Sequence, residues 1–579
     1  MHRMEDFAKS LSLKVVLLIL GITGLCVFFN SFFNGFVWDD EEQIVLNSTL
    51  HSLSNFPTLL SGSTFSTGGA PTLSGWFFRP LFTFSLMLLY QIGGANAWVY
   101  HLFQVCLHIF NSWLLFILLE KLINSAKQAK LKLINLFVCL LFLIHPAINE
   151  GITYISALSE VIFTTFNLSA LLLIVSSGSK ITFKLLFIVF FLLFLSPLTK
   201  ESGITVVPII LSYLLIYKKS AWKKWSLITI GATVLYFVTR LLVIGKQIQH
   251  PQFAPITEAT LWERLLTIPQ TLAHYLLLTL YPDKLAVSQH FVVRTASLNQ
   301  FWIPLLFDLF FLLALMWSYF RFREKVILFG LLWFLFGFSL ISQVIPLDMT
   351  VAERWFYFPF MGLIIALAGI LIQLKDYSYR FFEQLSLIAC MILIVLSVRT
   401  VIRNSNWYDG LTLYSHDITV THNSFDLENN LGVELFRTGK IDEAKPHFER
   451  SLELQPKWYF SRNNLGAVYQ RQGQLELAKQ QYEEVLKTSD YYLTYQNLAE
   501  LKNKTESTES AKLFIEQTLR KLPNNPVLWF HLAIAEYRLG HQEQALKALE
   551  NSYYLSPSEQ TSAVYNYVKQ GLPASGLAR

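Results

Sequence analysis

Residues 98–119 have the sequence WVYHLFQVCLHIFNSWLLFILL, without a single Lys, Arg, Asp or Glu. A helix needs roughly 20 predominantly apolar residues to cross the hydrocarbon core of a bilayer. Such runs recur along the first 402 residues, and the whole chain has 53% hydrophobic and only 15% charged residues. This composition excludes a soluble enzyme of 579 residues and indicates a membrane protein.

Eleven apolar stretches approach spanning length, and each is expected to form a membrane-spanning helix. They lie at residues 13–33, 98–119, 133–147, 159–176, 181–197, 202–217, 225–244, 301–319, 326–345, 355–374 and 385–402. Two shorter apolar segments, 81–92 and 268–280, are flanked by Pro or Gly and are expected to be interfacial or re-entrant helices. The first run is long for a signal peptide and no small-residue cleavage pattern follows it, which favours a retained helix.

Basic residues indicate the orientation, because Lys and Arg collect in cytoplasmic loops. Five basic clusters fall on one side only if the two short segments do not span; they lie at residues 3–14, 121–132, 218–224, 321–325 and 375–380. With the N-terminus cytoplasmic, eleven spans bring the chain out after Arg399 on the extracytoplasmic face. Residues 403–579 carry 19 Lys and Arg against 21 Asp and Glu, which leaves 27 against 19 in residues 1–402, so the basic excess belongs to the membrane half. This distribution argues against a nucleic-acid partner.

The polar remainder of the chain contains an internal repeat. Its clearest markers recur every 33 or 34 residues and are Asn430-Leu431-Gly432, Asn464-Leu465-Gly466, Asn497-Leu498-Ala499 and His531-Leu532-Ala533. Alanines and unit-ending prolines follow the same interval. This period, with small residues where paired helices touch, is the tetratricopeptide signature.

We therefore predict an all-α protein with two domains, a multi-span membrane domain at residues 1–402 and a repeat domain at 403–579. About four repeats occupy residues 425–559 and form an α-solenoid on the extracytoplasmic side. Gly439, Gly473 and Gly540 mark the turn in three units, whereas the third unit has Glu506 there, so its turn is expected to be looser.

Ionisable side chains collect beside the ends of the predicted spans. In the topology above they lie at or near the outer face and include Asp39, Asp40, Arg79, His101, His145, Glu150, Glu160, Lys200, Glu201, Arg240, His274, Glu353 and Arg354. Charged groups next to membrane spans are costly and usually functional, so this convergence is typical of an active site. Each group also has a structural interpretation: translocated acids, snorkelling arginines, a local Lys200–Glu201 pair or interior histidines. No zinc motif occurs, since the sequence has neither His-Glu-x-x-His nor a Cys pair.

Seven short blocks follow one another along the chain. They are Val37-Trp38-Asp39-Asp40, Arg79-Pro80-Leu81, His101-Leu102 with His108, His145-Pro146 with Glu150, Lys200-Glu201, Ala352-Glu353-Arg354, and Arg403-Asn404 with Trp407. This ordered set resembles the transmembrane and tetratricopeptide-repeat O-mannosyltransferases and their bacterial relatives, which are GT-C class membrane glycosyltransferases. The chain departs from the family pattern where Gly-Arg-Ala and an acid are usual, because it has Ala157-Leu158-Ser159-Glu160 and so lacks that arginine.

The resemblance implies a GT-C-like membrane domain that moves a hexose such as mannose from a polyprenyl-phosphate carrier to an acceptor hydroxyl, such as a protein Ser or Thr, with inversion. Such chemistry needs a carboxylate base and cationic groups for the phosphate. The implied base is Asp39, supported by Asp40. The implied phosphate contacts are Arg79, Lys200 and Arg354, and the implied sugar-orienting groups are His101, His145, Glu150 and Glu201. No cofactor is implied, and a divalent metal stays open because Asp-Asp pairs elsewhere bind one.

The repeats are expected to bind the protein or peptide acceptor, outside a bacterial cytoplasmic membrane or in the lumen of a eukaryotic endoplasmic reticulum. Two other function classes remain open. A non-catalytic membrane scaffold that recruits proteins through the repeats is favoured by Leu158, which stands in place of the family arginine. A lipid flippase or transporter would use the charges as a substrate path, although no internal hydropathy repeat is visible.

Overall fold

A computed structural model describes residues 2–60, 77–124, 128–178, 181–245 and 253–578 of the chain. The chain divides into two compact units between Asn423 and Ser424. Throughout the described ranges the regular structure is helical, and the only strand-like pairing is an isolated antiparallel bridge between Gln289 and Val351. The predicted all-α fold class is thus confirmed.

The first unit, called here the membrane unit, extends to Asn423. Its helices, in chain order, are α1 His2–Ser10, α2 Leu13–Val27, α3 Phe56–Leu59, α4 Pro80–Gly93, α5 Ala97–Ile123, α6 Ala129–Ile144, α7 Glu150–Thr153, α8 Leu158–Ser176, α9 Phe183–Thr199, α10 Val206–Ile216, α11 Trp222–Ile244, α12 Pro255–Glu258, α13 Leu261–Leu280, α14 Ile303–Phe322, α15 Lys325–Ser339, α16 Tyr357–Leu371, α17 Tyr379–Asn406 and α18 Gly410–Val420.

Each of the eleven apolar stretches predicted from the sequence contains an α-helix of this unit, although residues 340–345 of the stretch 326–345 are not helical. Among the described residues, six helical stretches are long and apolar enough to cross a membrane: Ala97–Ile123, Ile155–Ser176, Trp222–Ile244, Leu298–Phe322, Glu353–Asp376 and Arg380–Asn406. Shorter apolar helices accompany them at Leu13–Val27, Pro80–Gly93, Phe183–Thr199, Glu201–Ile216 and Lys325–Ser339. These helices indicate a multi-pass membrane protein.

The long helices differ in how much of their apolar surface the protein covers. The stretch at Glu353–Asp376 has 83% of its apolar window buried and forms the centre of the bundle, whereas Arg380–Asn406 has only 6% buried. Leu298–Phe322 and Trp222–Ile244 are similarly uncovered, at 22% and 17%. Apolar faces of this size are unfavourable in water, so we infer that these helices contact lipid.

The tightest helix pair at the centre is α15 against α16. A Cβ atom on Gly330 would lie 2.4 Å from the backbone nitrogen of Ala366, and one on Gly362 would lie 2.4 Å from that of Phe334. Only glycine permits this approach, as is common where membrane helices pack closely. The Trp333 indole then donates to the Phe358 carbonyl at 3.0 Å, which fixes the register of the two helices.

The second unit, called here the repeat unit, begins at Ser424. Four helix pairs and one further helix form it: α19 Phe425–Arg437, α20 Ile441–Leu454, α21 Tyr459–Arg471, α22 Leu475–Leu486, α23 Tyr492–Thr505, α24 Thr508–Lys521, α25 Pro526–Arg538, α26 Gln542–Leu555 and α27 Glu559–Lys569. Each pair corresponds to one predicted tetratricopeptide repeat.

The turns within the pairs use two different solutions. Gly439, Gly473 and Gly540 have φ of 81°, 74° and 80°, the left-handed conformation that favours glycine. Glu506 in the third pair instead has φ −109° and accepts from Lys479 and Lys502 at 2.7 Å. The third turn thus lacks the left-handed residue of the other three and carries two ion pairs at Glu506, and the expectation that it is looser stays a prediction.

Asparagine side chains link the first helices of successive repeats. Asn497 donates to Asn463 at 3.2 Å, Asn463 to Asn464 at 3.3 Å, Asn464 to Asn429 at 2.9 Å, and Asn429 to Asn430 at 3.0 Å. We call these five residues the amide chain. Asn429 and Asn463 are buried within it, whereas the other three are partly exposed.

Candidate active site

The loop after α2 presents the paired aspartates. Trp38 has φ of +57°, a left-handed conformation in which a bulky residue is strained. Asp40 is fully buried and accepts from the Ser156 amide at 2.8 Å, the Ser156 hydroxyl at 2.5 Å and the Val37 amide at 3.3 Å. Burial raises the pKa of Asp40 to about 7 in spite of these donors. Asp40 therefore acts as the anchor that holds Asp39 in position.

Asp39 differs from its neighbour because no described residue gives it a hydrogen bond of normal geometry. The Tyr154 hydroxyl faces its carboxyl without such a bond, and Arg354, Asp348 and Arg79 lie within electrostatic range. Burial raises the pKa of Asp39, and the Tyr154 hydroxyl and the positive charge of Arg354 counteract this only in part. A partly buried carboxyl with a raised pKa and unused lone pairs is suited to accept a proton.

Arg354 lies between an acid and an aromatic wall. Glu150, which is fully buried, accepts the Arg354 backbone amide at 2.8 Å and also pairs with its guanidinium. The guanidinium carbon is 5.3 Å from the ring centre of Trp38 and 5.8 Å from that of Tyr154. Those two rings stack at 5.5 Å. The wall thus fixes both the cation and the residue that precedes Asp39.

Two further ion pairs complete the cluster. Arg79 donates to Glu201 at 2.8 Å, and Lys200 pairs with Glu160. Lys200 is electrostatically coupled to Arg79 and Arg354, so the three cations share one region of the unit. A cavity of about 20 Å³ borders Glu160, enough room for one water molecule.

The departure from the family pattern has a visible consequence at this point. Leu158, which stands where an arginine is usual, is fully buried. Glu160 is left with Lys200 as its cationic partner in the described chain. At this point of the cluster the cation beside Glu160 is the Lys200 ammonium.

His145 and His108 have structural partners, whereas both ring nitrogens of His101 lack a hydrogen bond of normal geometry among the described residues. His145 accepts the Ala147 amide at 3.2 Å and contacts the Thr279 carbonyl at 3.1 Å, so both ring nitrogens face backbone. His101 is buried against the backbone of residues 34 and 35 and thereby lies beside the aspartate loop. His108 contacts Tyr357 at 2.8 Å and the Leu143 carbonyl at 2.9 Å. None of them joins a metal-ligand group, and the described chain contains no set of three His, Cys, Asp or Glu placed to hold a metal ion.

Sequence reasoning missed a buried polar network behind the cluster. Arg403 is completely buried and donates to both carboxylate oxygens of Asp417, at 2.7 and 3.2 Å, while lying 3.9 Å from Glu353. Asp417 also accepts the Val287 amide at 2.8 Å, and Glu353 accepts the Ala286 amide at 2.6 Å. These bonds tie α17, α18 and the loop after α13 to the residue next to Arg354. Asp348 and Tyr154 were also missed, and neither stands in a recognisable motif.

Curated sequences support the resemblance drawn from the seven blocks. The human protein O-mannosyl-transferase TMTC3 is 27% identical over 492 residues, which cover 77% of this chain and 52% of that protein. The mouse protein of the same name is 25% identical over 78% of this chain, and the Caenorhabditis elegans protein O-mannosyl-transferase F38B6.6 is 22% identical over 78%. The chain resembles the TMTC O-mannosyl-transferases. It spans about half the length of the first of these relatives.

A family profile and solved structures also match the chain, over different lengths. The tetratricopeptide repeat profile matches residues 423–490 of this TMTC-like chain. Among solved structures, ArnT from Cupriavidus metallidurans bound to undecaprenyl phosphate matches at 13% identity, covering 83% of this chain and 81% of that one, with a TM-score of 0.40. The tetratricopeptide protein YrrB matches 29% of this chain with a TM-score of 0.24.

Proposed function

We propose that this chain is an inverting membrane glycosyltransferase. It would move a hexose such as mannose from a polyprenyl-phosphate carrier to a Ser or Thr hydroxyl of a protein on the extracytoplasmic face. In the step itself, the acceptor O–H gives its proton to Asp39, and the oxygen forms a bond to the anomeric carbon. The bond between that carbon and the phosphate oxygen breaks, and its electron pair leaves with the carrier phosphate.

The observation that carries the proposal is the contrast between Asp39 and the other acids of the cluster. Glu150, Glu160 and Glu201 each pair with a cation, and Asp40 is held by three donors. Among these five acids, Asp39 is the one that receives no hydrogen bond of normal geometry and no ion pair from the described residues, so both of its oxygens are available to an incoming hydroxyl. Its raised pKa strengthens it as a base while leaving it ionised above that pKa.

The three cations suit the leaving phosphate. A guanidinium offers paired N–H donors to phosphate oxygens, and an ammonium adds a point charge. Arg79 keeps 17% of its side chain exposed and uses its Nε for Glu201, which leaves its terminal nitrogens for a phosphate. Arg354 is coupled to Asp39 and faces the same region. Charge that develops on the phosphate would strengthen these contacts in the transition state.

The amide chain supports a role for the repeats in holding an extended acceptor. Asn430, Asn464 and Asn497 are partly exposed at equivalent positions of α19, α21 and α23. Packed helices lie about 8–10 Å apart, which matches about three residues of an extended strand. Side-chain amides at that interval would bind peptide backbone groups with little dependence on acceptor sequence.

Turnover with a synthetic polyprenyl-phosphate hexose and a protein acceptor tests the proposal. Asp39→Asn keeps the shape of the side chain and removes the proton acceptor, so turnover is expected to fall by about 10² to 10⁴ with carrier binding retained. The exposed Asp376 lies outside the cluster, and Asp376→Asn is the matched control. Near-normal turnover in Asp39→Asn would refute the assignment of the base. Transfer that persists in a metal chelator supports the metal-free step, and its loss would overturn that part.

The buried Leu158 favours a second candidate, a membrane scaffold without catalytic activity. The missing arginine leaves the phosphate site with one guanidinium fewer than the family pattern. Glycan mass spectrometry on cells that carry the wild type or Asp39→Asn separates the two functions. A scaffold retains its cellular role in that variant and leaves glycans unchanged, whereas an enzyme loses its products.

A further inference from the structure

A second polar pocket lies in the membrane unit, apart from the Asp39 cluster. It has a volume of about 510 Å³ and is lined by Lys284, Arg399, His416 and His422, with Ile402 and Val420 beside them. The loop after α13, the last turns of α17 and helix α18 meet there. It shares no residue with the Asp39 cluster.

The charge of this pocket is predominantly positive. Arg399 donates from Nε to the Pro282 carbonyl at 3.0 Å and from Nη2 to the Asp283 carbonyl at 2.8 Å. These bonds fix the plane of the guanidinium and leave Nη1 without a partner in the described chain. Lys284 is exposed and has no ion-pair partner among the described residues. The one lining acid is Asp283, so a single carboxylate faces two permanent cations and two imidazoles.

His416 is oriented by the network behind the pocket. Its Nδ1 lies 2.7 Å from an Asp417 carboxylate oxygen, which can only accept, so Nδ1 carries a proton. The Asp417 charge is already matched by the two hydrogen bonds from Arg403. The second ring nitrogen of His416 is left for a ligand.

An apolar stripe leads along α17 to the pocket. Ile394, Val395, Val398 and Ile402 have 63%, 66%, 54% and 51% of their surface exposed. Only 6% of the apolar window of this helix is buried by protein, so these side chains contact acyl chains in a bilayer. A ligand that fits both features carries an anionic head and hydrocarbon tails.

We propose that this pocket binds the phosphate headgroup of an anionic phospholipid whose acyl chains lie against α17. The headgroup phosphate accepts from Arg399 Nη1 and from Lys284, with His416 and His422 at the rim. Because the argument uses only the pocket and the lipid-facing helix, it is independent of the proposed transferase activity. A bound lipid would brace the junction between α17 and α18, to which Arg403 and Asp417 belong.

Native mass spectrometry of the full chain with equal amounts of phosphatidylglycerol and phosphatidylcholine tests this proposal. The wild type is expected to retain phosphatidylglycerol selectively. A basic residue near a membrane surface strengthens the binding of anionic lipid. Removal of one such cation is therefore expected to lower the selectivity for phosphatidylglycerol about fivefold. Lys284→Gln and His422→Gln change exposed side chains and should leave folding intact, whereas Arg399→Gln also removes two structural hydrogen bonds.

Lys547→Gln is the matched control, since Lys547 is an exposed cation on α26 of the repeat unit and does not belong to a membrane helix. Loss of selectivity in Lys284→Gln with the control unchanged supports the site. Equal retention of both lipids by the wild type, or unchanged selectivity in Lys284→Gln, would overturn it. Displacement of phosphatidylglycerol by inorganic phosphate or by synthetic polyprenyl phosphate would also overturn it, because the ligand would then be a free anion or the sugar carrier.

Discussion

Replacing Glu150 by Gln should destabilise the membrane unit strongly. The Glu150 carboxylate is fully buried, receives the Arg354 backbone amide at 2.8 Å and pairs with its guanidinium. Glutamine keeps one oxygen to accept the Arg354 backbone amide. Its NH₂ group carries no charge, however, and it would face the Arg354 guanidinium, whose side chain is only 11% exposed. Removing one partner of a buried ion pair costs about 3–5 kcal/mol, because the other charge is left without compensation.

The double variant Glu150→Gln with Arg354→Gln removes both charges and should cost clearly less than the sum of the two single changes. The assay is the unfolding midpoint of purified protein in detergent, measured for wild type, both single variants and the double variant. Glu509→Gln on the exposed face of α24 is the control and should stay within about 0.5 kcal/mol of wild type. Additive costs, or a Glu150→Gln variant as stable as the control, would refute the role given to this pair.

Three further predictions concern Asp39, the strained loop and the amide chain. Turnover should rise with pH as Asp39 loses its proton. Because burial raises the pKa of Asp39 above the ordinary aspartate value of 3.8, the acid limb of the pH–rate profile should lie above pH 3.8. This limb should be absent from the residual turnover of Asp39→Asn. Trp38→Ala and Trp38→Gly both remove the ring, but only glycine relieves the φ of +57°, so the unfolding midpoint of the glycine variant should be the higher, by an equivalent of about 1 kcal/mol. Asn464→Ala should weaken binding of an unstructured acceptor peptide in a fluorescence titration, and Asn566→Ala on the exposed side of α27 should not.

The features that the sequence predicted well are those encoded locally. Each of the eleven apolar stretches contains a helix, because each stretch is continuous in the chain, and six helices among the described residues are long and apolar enough to cross a membrane. The repeat period located the four helix pairs for the same reason. The orientation of the helices, and with it the side on which the repeats lie, stays a prediction. The ion pair between Lys479 and Glu506 at the third turn was not foreseen, because Lys479 lies in the preceding repeat and a local rule about glycine does not include it.

The internal arrangement of the cluster was less accessible to sequence reasoning. Motif blocks named Glu150 and Arg354 but not their pairing, which joins residues 204 positions apart. The loop that carries Asp39 is also held by Ser156, which donates to Asp40. Lys200 pairs with Glu160 and not with the adjacent Glu201, so the local Lys200–Glu201 pair considered from the sequence is wrong. Such contacts depend on which helix faces which, and periodicity within one helix does not specify that.

Each of the three cations in the cluster is paired with an acid, and these pairs affect how charge moves in the proposed transfer. Before the step, the negative charges are on Asp39 and on the phosphodiester of the carrier; afterwards Asp39 is neutral and the released phosphate monoester carries both. The step therefore moves one unit of negative charge from the aspartate to the phosphate. Arg354 and Arg79 are coupled to Asp39, and Lys200 is coupled to both arginines, so the same cations act on the start and the end of that movement.

The acids paired with these cations keep the resting cluster close to neutral. As the phosphate gains negative charge, it competes with Glu150, Glu160 and Glu201 for the guanidinium and ammonium groups. The proposed catalysis would then require ion pairs that are strong enough to position the cations and weak enough for the phosphate to compete for them.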